Sequence, residues 1–262
     1  MNKFNFCVAS FFALASSVSK AETTHQHHAA PASNASEIVS ADDAVFGEFG
    51  RPQMMGEENM GGVLLNRLER TQQQNTAYEL LAVYGQPFNR TVLKADGVIG
   101  NARLTDARNE LLWAHGLDAF WDSQLGARLD SGALPSRPWL AFGVQGIAPY
   151  WFNVEATAYL GEQARSALRV AAEYDVLVTQ KLLLQPRLES NFYGQTDAAR
   201  NLGSGLSDAT LGLRLRYEIE REFAPYLGFE RANKFAGSAR FSRSAGEATG
   251  QNRWVAGLRM WF

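Results

Sequence analysis

Asn252-Arg-Trp-Val-Ala-Gly-Leu-Arg-Met-Trp-Phe262 closes the chain, and its rhythm decides the fold. Read in twos from the end, Phe262, Met260, Leu258, Ala256 and Trp254 share one face. Trp261, Arg259, Gly257, Val255 and Arg253 share the other. Successive side chains of a strand point to opposite sides, so one side is apolar and the other small or charged. A soluble edge strand could carry this pattern. The closing strand of an outer-membrane barrel carries it too, with the apolar face against lipid.

The same period of two recurs upstream from about residue 61. In 120–130, Leu125, Ala127 and Leu129 alternate with Gln124, Gly126, Arg128 and Asp130. In 150–161, Phe152, Val154, Ala156, Ala158 and Leu160 alternate with Asn153, Glu155, Thr157 and Tyr159. Leu168, Val170 and Ala172 alternate with Arg169 and Glu173; Leu184, Pro186 and Leu188 with Gln185, Arg187 and Glu189. Leu211, Leu213 and Leu215 alternate with Gly212, Arg214 and Arg216. Segments 63–70 and 77–84 alternate poorly.

Counting segments gives roughly twelve strands, an even number as bacterial barrels prefer. The spacing predicts tight turns at 85–88, 116–119, 148–149, 176–179 and 220–222, and long polar loops at 194–206 and 235–251. Short turns at one end and longer loops at the other are the barrel asymmetry. Phe120, Trp121, Tyr150, Trp151, Phe152, Phe223, Tyr226 and Trp261 are expected in an aromatic girdle beside the turns. Trp139, Tyr193, Phe235 and Trp254 are expected in a second girdle beside the loops, where amphipathic rings suit the membrane interface. The fold class is therefore all-β: a transmembrane antiparallel up-and-down β-barrel spanning residues 61–262.

Ahead of the barrel, residues 1–21 read as a secretory signal peptide: Lys3, then an apolar run from Phe4 to Val18, then Ser19-Lys20-Ala21 as a small-x-small site. The only cysteine, Cys7, lies within that run, so the exported chain would carry no thiol. Residues 22–60 lose all periodicity and read as a flexible extension, too poor in apolar groups to order itself. No stretch approaches the ~18 apolar residues of a membrane helix. Lys and Arg number 25 against 27 Asp and Glu, which excludes a general attraction to nucleic acid.

Two clusters in the extension carry chemistry. His25, His27 and His28 are three of the four histidines, and Met54, Met55 and Met60 are three of the five methionines. Imidazole binds copper, zinc or nickel, and thioether selects Cu(I). Together they point to a soft metal; each alone could be a solvated tract or a packing segment. On the polar face of the barrel, Lys94, Asp96, Arg108, Glu110, Asp122, Arg128, Glu155, Arg169, Glu173, Arg187, Glu189, Arg214, Arg216, Glu218, Glu230 and Arg259 fall inward by alternation. Their balanced signs favour a lumen cross-linked by ion pairs over a cation path. His115 is the only barrel histidine and no Gly-x-Ser-x-Gly occurs, so the residues for a Ser/His hydrolase are not supplied and the reading is non-enzymatic.

Three long runs, 141–156, 171–189 and 203–226, resemble the copper resistance protein B family of proteobacterial outer membranes, and the similarity extends from about Gly61 to Phe262. The resemblance implies an outer-membrane barrel with a periplasmic metal-binding extension. It implies a role in copper resistance and homeostasis, with copper ions, outer-membrane lipid and a periplasmic multicopper oxidase or copper carrier as partners. The extension matches the family in kind at His25, His27, His28, Met54, Met55 and Met60. It holds fewer ligands than the richest members, which favours capture or transfer of a few copper ions over bulk storage. The alternative is a narrow general porin or structural barrel without a metal role.

Overall fold

The computed structural model describes residues 59–71 and 75–262. The expected signal peptide and all but the last two residues of the extension lie outside these. Twelve strands follow in order: β1 (Met60–Thr71), β2 (Thr76–Gly85), β3 (Asn89–Gly100), β4 (Arg103–Gly116), β5 (Trp121–Gly132) and β6 (Arg137–Ala148). Then come β7 (Phe152–Gly161), β8 (Ser166–Glu173, resuming as Val176–Leu177), β9 (Leu182–Tyr193), β10 (Gly205–Tyr217), β11 (Phe223–Lys234) and β12 (Gly250–Trp261). One helix, α1 (Ala236–Ser244), lies between β11 and β12.

Each strand pairs antiparallel with the next, and β12 pairs with β1, so the sheet closes on itself. Leu64 faces Trp261 in that last register, and Val63 and Phe262 exchange two backbone hydrogen bonds of 3.1 and 2.8 Å. The expected twelve-stranded antiparallel barrel is what the chain forms. Closure satisfies every strand edge, which a bilayer demands. Among the described residues no helix is long and apolar enough to cross a membrane.

Burial runs opposite to that of a soluble protein. Leu140 is 64% exposed and Leu227 66%, whereas Glu69 and Arg216 are each only 2% exposed. Apolar side chains out and charges in is the arrangement a lipid solvent selects. The poor alternation of 63–70 has a local cause. The register slips between Leu65 and Arg67, and Asn66 and Arg67 both reach the inward carboxylate of Glu79. A β-bulge inserts one residue and so shifts the phase of all that follows. The break in β8 lies opposite Pro186, which has no N–H to give; Tyr174 N donates instead to the Pro186 carbonyl, at 3.1 Å.

Both aromatic girdles are present, with three corrections. Phe120, Tyr150, Trp151 and Phe152 are exposed at the turn end, and Trp254 and Phe235 at the loop end. Trp139 and Tyr226 are instead buried inside the barrel, and Tyr193 faces inward against Trp139, ring centres 6.4 Å apart. Nearness to a turn or loop placed them in a girdle, but strand parity governs direction, and all three share the inward face with charged neighbours. Trp139 packs with Val92, Leu112, Ala114, Ala141, Tyr159 and Ala167 into an apolar patch on the inner wall.

Candidate functional site

The interior is a lattice of ion pairs linking strands on opposite walls. Arg187 of β9 donates to Glu79 of β2 at 3.1 Å and to Glu189 at 3.2 Å. Arg169 of β8 lies between two carboxylates, donating to Glu189 at 2.9 Å and Glu155 at 3.0 Å. Lys94 of β3 reaches across to Glu155 of β7 at 3.1 Å and donates to Gln124 and Gln145. Arg108 of β4 bonds Asp96 at 3.0 Å and approaches Glu189 at 3.6 Å. Arg214 of β10 donates to Glu69 of β1 at 2.6 Å, and Tyr226 donates to the same oxygen at 3.1 Å. Nearer the turn end, Arg90 pairs with Asp122, and Arg216 with Asp175 at 3.3 Å.

The charges predicted to face inward thus do so, and they neutralise one another. A charge taken out of water is tolerated only when paired and hydrogen-bonded, and here nearly every one is. Alternation could not supply the partners. Glu79 and Arg187 are 108 residues apart, and Glu69 and Arg214 are 145. Arg67 and Glu69 were missed because the bulge hides their phase, and Glu79 because the apolar Leu81 and Val83 share its inward face and blur the alternation of β2. A further pairing is aromatic: the Arg128 guanidinium lies 4.4 Å from the centre of the Tyr159 ring while it bonds Asp130 at 2.7 Å.

The loop end is covered. The 194–204 segment crosses the mouth. Asp197 accepts from Arg137 at 2.9 Å, and Arg200 donates to the Pro135 carbonyl at 2.7 Å and to Asp106 at 3.2 Å. Ser238 of α1 bonds Gly203 N at 2.8 Å and the Ser207 hydroxyl at 2.7 Å, which ties helix and strap together.

Of the six expected metal ligands, His25, His27, His28, Met54 and Met55 lie outside the described residues. Met60 is the first residue of β1, half-buried on the lumen-facing parity at the turn end, paired with Gly85. His115 is near the end of β4, with Nδ1 2.8 Å from the Asn89 side-chain oxygen. Among the described residues no three His, Cys, Asp or Glu side chains are grouped to hold a metal ion.

A closed, lipid-facing cylinder with a charged interior defines an outer-membrane β-barrel of porin-like architecture. The NanC porin structure superposes with a TM-score of 0.51 over 77% of this chain and 99% of that one, at 11% identity, a likeness of fold alone. The profile of the copper resistance protein B precursor family (CopB) matches residues 59–262. Copper resistance protein B of Escherichia coli is 40% identical over 203 residues, covering 76% of this chain and 69% of that protein. Its homolog in Pseudomonas syringae pv. tomato is 41% identical over 186 residues, covering 71% of this chain and 63% of that one. The chain belongs to the copper resistance protein B family, and its role lies in copper resistance at the outer membrane.

Proposed function

We propose that the protein binds copper on its N-terminal extension and thereby limits free periplasmic copper or hands it on. In this reading the leader 1–21 is removed and the extension lies in the periplasm. His25, His27 and His28 take Cu(II) or Cu(I), and Met54, Met55 and Met60 supply thioethers for Cu(I). A periplasmic multicopper oxidase or copper carrier is the natural partner for transfer. The observation that carries the reading is the braced lumen. The Arg187–Glu79 and Arg108–Glu189 pairs span the bore, so copper handling falls to the extension rather than to an open water-filled channel. Membership of a copper-resistance family supports the choice of metal.

Copper titration of the mature protein against a form lacking residues 22–60 tests this. The shortened form is expected to lose copper binding; undiminished stoichiometry would move the site into the barrel. Replacing Met54, Met55 and Met60 by Leu keeps bulk and removes sulfur, so Cu(I) affinity is expected to fall with Cu(II) binding retained. The second reading, a narrow porin, draws on the porin-like fold. It requires steady conductance in planar bilayers that is indifferent to copper, with no metal held by the extension.

A further inference from the structure

On the outer wall, charge is confined to one place. Among the described strand residues, and leaving aside Arg103 at the tip of a hairpin, every charged side chain but two takes the lumen-facing parity. The exceptions are Arg70 of β1 and Arg231 of β11, both exposed. They flank the same strand. Arg70 is paired with Ala256 and Arg231 with Asn252, and these two share the lipid-facing side of β12 with Trp254 between them. Trp254 is 60% exposed and meets the Phe229 ring edge-on, centres 5.3 Å apart. All stand near the loop-end rim. Arg70 is the last but one residue of β1, Arg231 is three residues short of the end of β11, and Trp254 is four past the start of β12. Neither arginine has an ion-pair or hydrogen-bond partner among the described residues, and no strand carboxylate shares their face.

An arginine facing hydrocarbon is costly at mid-bilayer and tolerable near the interface, where its long stem lets the guanidinium reach the headgroups. Trp254 marks that depth, since amphipathic rings collect there. Short turns face the periplasm in such barrels, so the loop-end rim meets the outer leaflet. Two cations on a lipid-facing wall, with no carboxylate beside them, ask for negative charge from the lipid, and a guanidinium fork matches phosphate oxygens. Two strand spacings across and four residues along separate their Cα positions, roughly 16 Å. That span suits one headgroup with separated phosphates better than a single phosphate shared by both. We propose that Arg70, Trp254 and Arg231 form a docking site for an outer-leaflet lipid whose headgroup carries two phosphates. One arginine holds each phosphate, and the Trp254 ring lies against the body of the lipid. The bound lipid bridges β11, β12 and β1 and braces the seam where the sheet closes.

Native mass spectrometry of the full chain in detergent tests this, with diphosphoryl lipid A as the probe. Saturable binding is expected, with one lipid retained per barrel. Affinity is expected to fall by about tenfold in Arg70→Gln and again in Arg231→Gln, and to stay unchanged in Arg103→Gln, which removes an exposed arginine away from β12. Dephosphorylated lipid A should bind the wild-type protein no better than diphosphoryl lipid A binds the double variant. Equal binding of the two lipids, or an unchanged affinity in the double variant, would overturn the site. Competition by inorganic phosphate at the concentration of the lipid would overturn the lipid assignment. If the variants do not fold, phenylglyoxal modification of the wild-type protein decides. Diphosphoryl lipid A is expected to shield Arg70 and Arg231 but not Arg103, and equal modification of all three refutes the proposal.

Discussion

Arg169 joins carboxylates from the strands on either side of its own, Glu155 and Glu189. Arg169→Met preserves much of the side-chain volume but leaves Glu155 and Glu189 facing each other without their shared cation. Removing one partner of a buried ion pair costs about 3–5 kcal/mol; Glu155 keeps Lys94 and Glu189 keeps Arg187, so a loss toward the lower end of that range is expected. That loss is expected in urea unfolding from lipid vesicles; a change within error would mean that water already solvates the site. Asp197, outside the membrane segments, makes a pH-dependent case. Burial alone would raise its carboxyl, but the hydrogen bond and charge of Arg137, with the charge of Arg165, outweigh that and hold it below the ordinary carboxylate value. A depressed folded value means that the strap's contribution is complete above the unfolded value of about 3.9 and fades as pH falls through the lower folded one. Leu202 N donates to the Asp197 carbonyl at 3.0 Å, so its hydrogen exchange reports the strap. Protection is expected to persist at pH 5 and to fall away below pH 3.9 or so, whereas Asp197→Asn should exchange fast throughout.

Between strands, five aromatic side chains lean on glycines in the neighbouring register. Tyr84 faces Gly61, Tyr78 faces Gly97, Trp121 faces Gly146, Trp139 faces Gly161 and Tyr226 faces Gly257. Each ring fills the space that the missing Cβ leaves, a device that stiffens a curved sheet. At Gly257 a Cβ would stand 2.6 Å from the Tyr226 hydroxyl and 2.7 Å from the Leu68 carbonyl, so both a side chain and the backbone resist it. Gly257→Ala is expected to destabilise the barrel by about 1–3 kcal/mol, read as a lower urea midpoint, and Tyr226→Phe is expected to recover only part. Strands with strict alternation were legible in the sequence, because a period of two fixes which face meets lipid. β1 was not, since its bulge changes phase in mid-strand. Helix α1 was read only as a polar loop: Gly237, Ser238, Ser242 and Ser244 are weak helix formers, and the helix is held by Ser238 bonding the strap and β10 and by Ser242 accepting from Lys234 of β11. The expected metal ligands were read from residue type alone, and five of the six lie outside the described residues.

At the scale of the molecule, two barriers stand in series: the ion-pair lattice within the bore and the strap with α1 over the loop-end mouth. Their contributions are separable. Deleting residues 236–244 should leave bilayer conductance near baseline, because the lattice beneath remains. A combined Arg169→Met and Arg187→Met change should raise it by breaking bonds to Glu155, Glu189 and Glu79. The opposite ranking would make the cover the principal seal. The union of β1 with β12 also dictates how such a molecule can be assembled. The two halves of that seam are the first and last strands to be delivered, so an unfinished sheet keeps an open flank whose arginines and glutamates would meet lipid instead of each other. Insertion must therefore hold that flank away from the hydrocarbon until Gly250–Trp261 arrives to zip it shut.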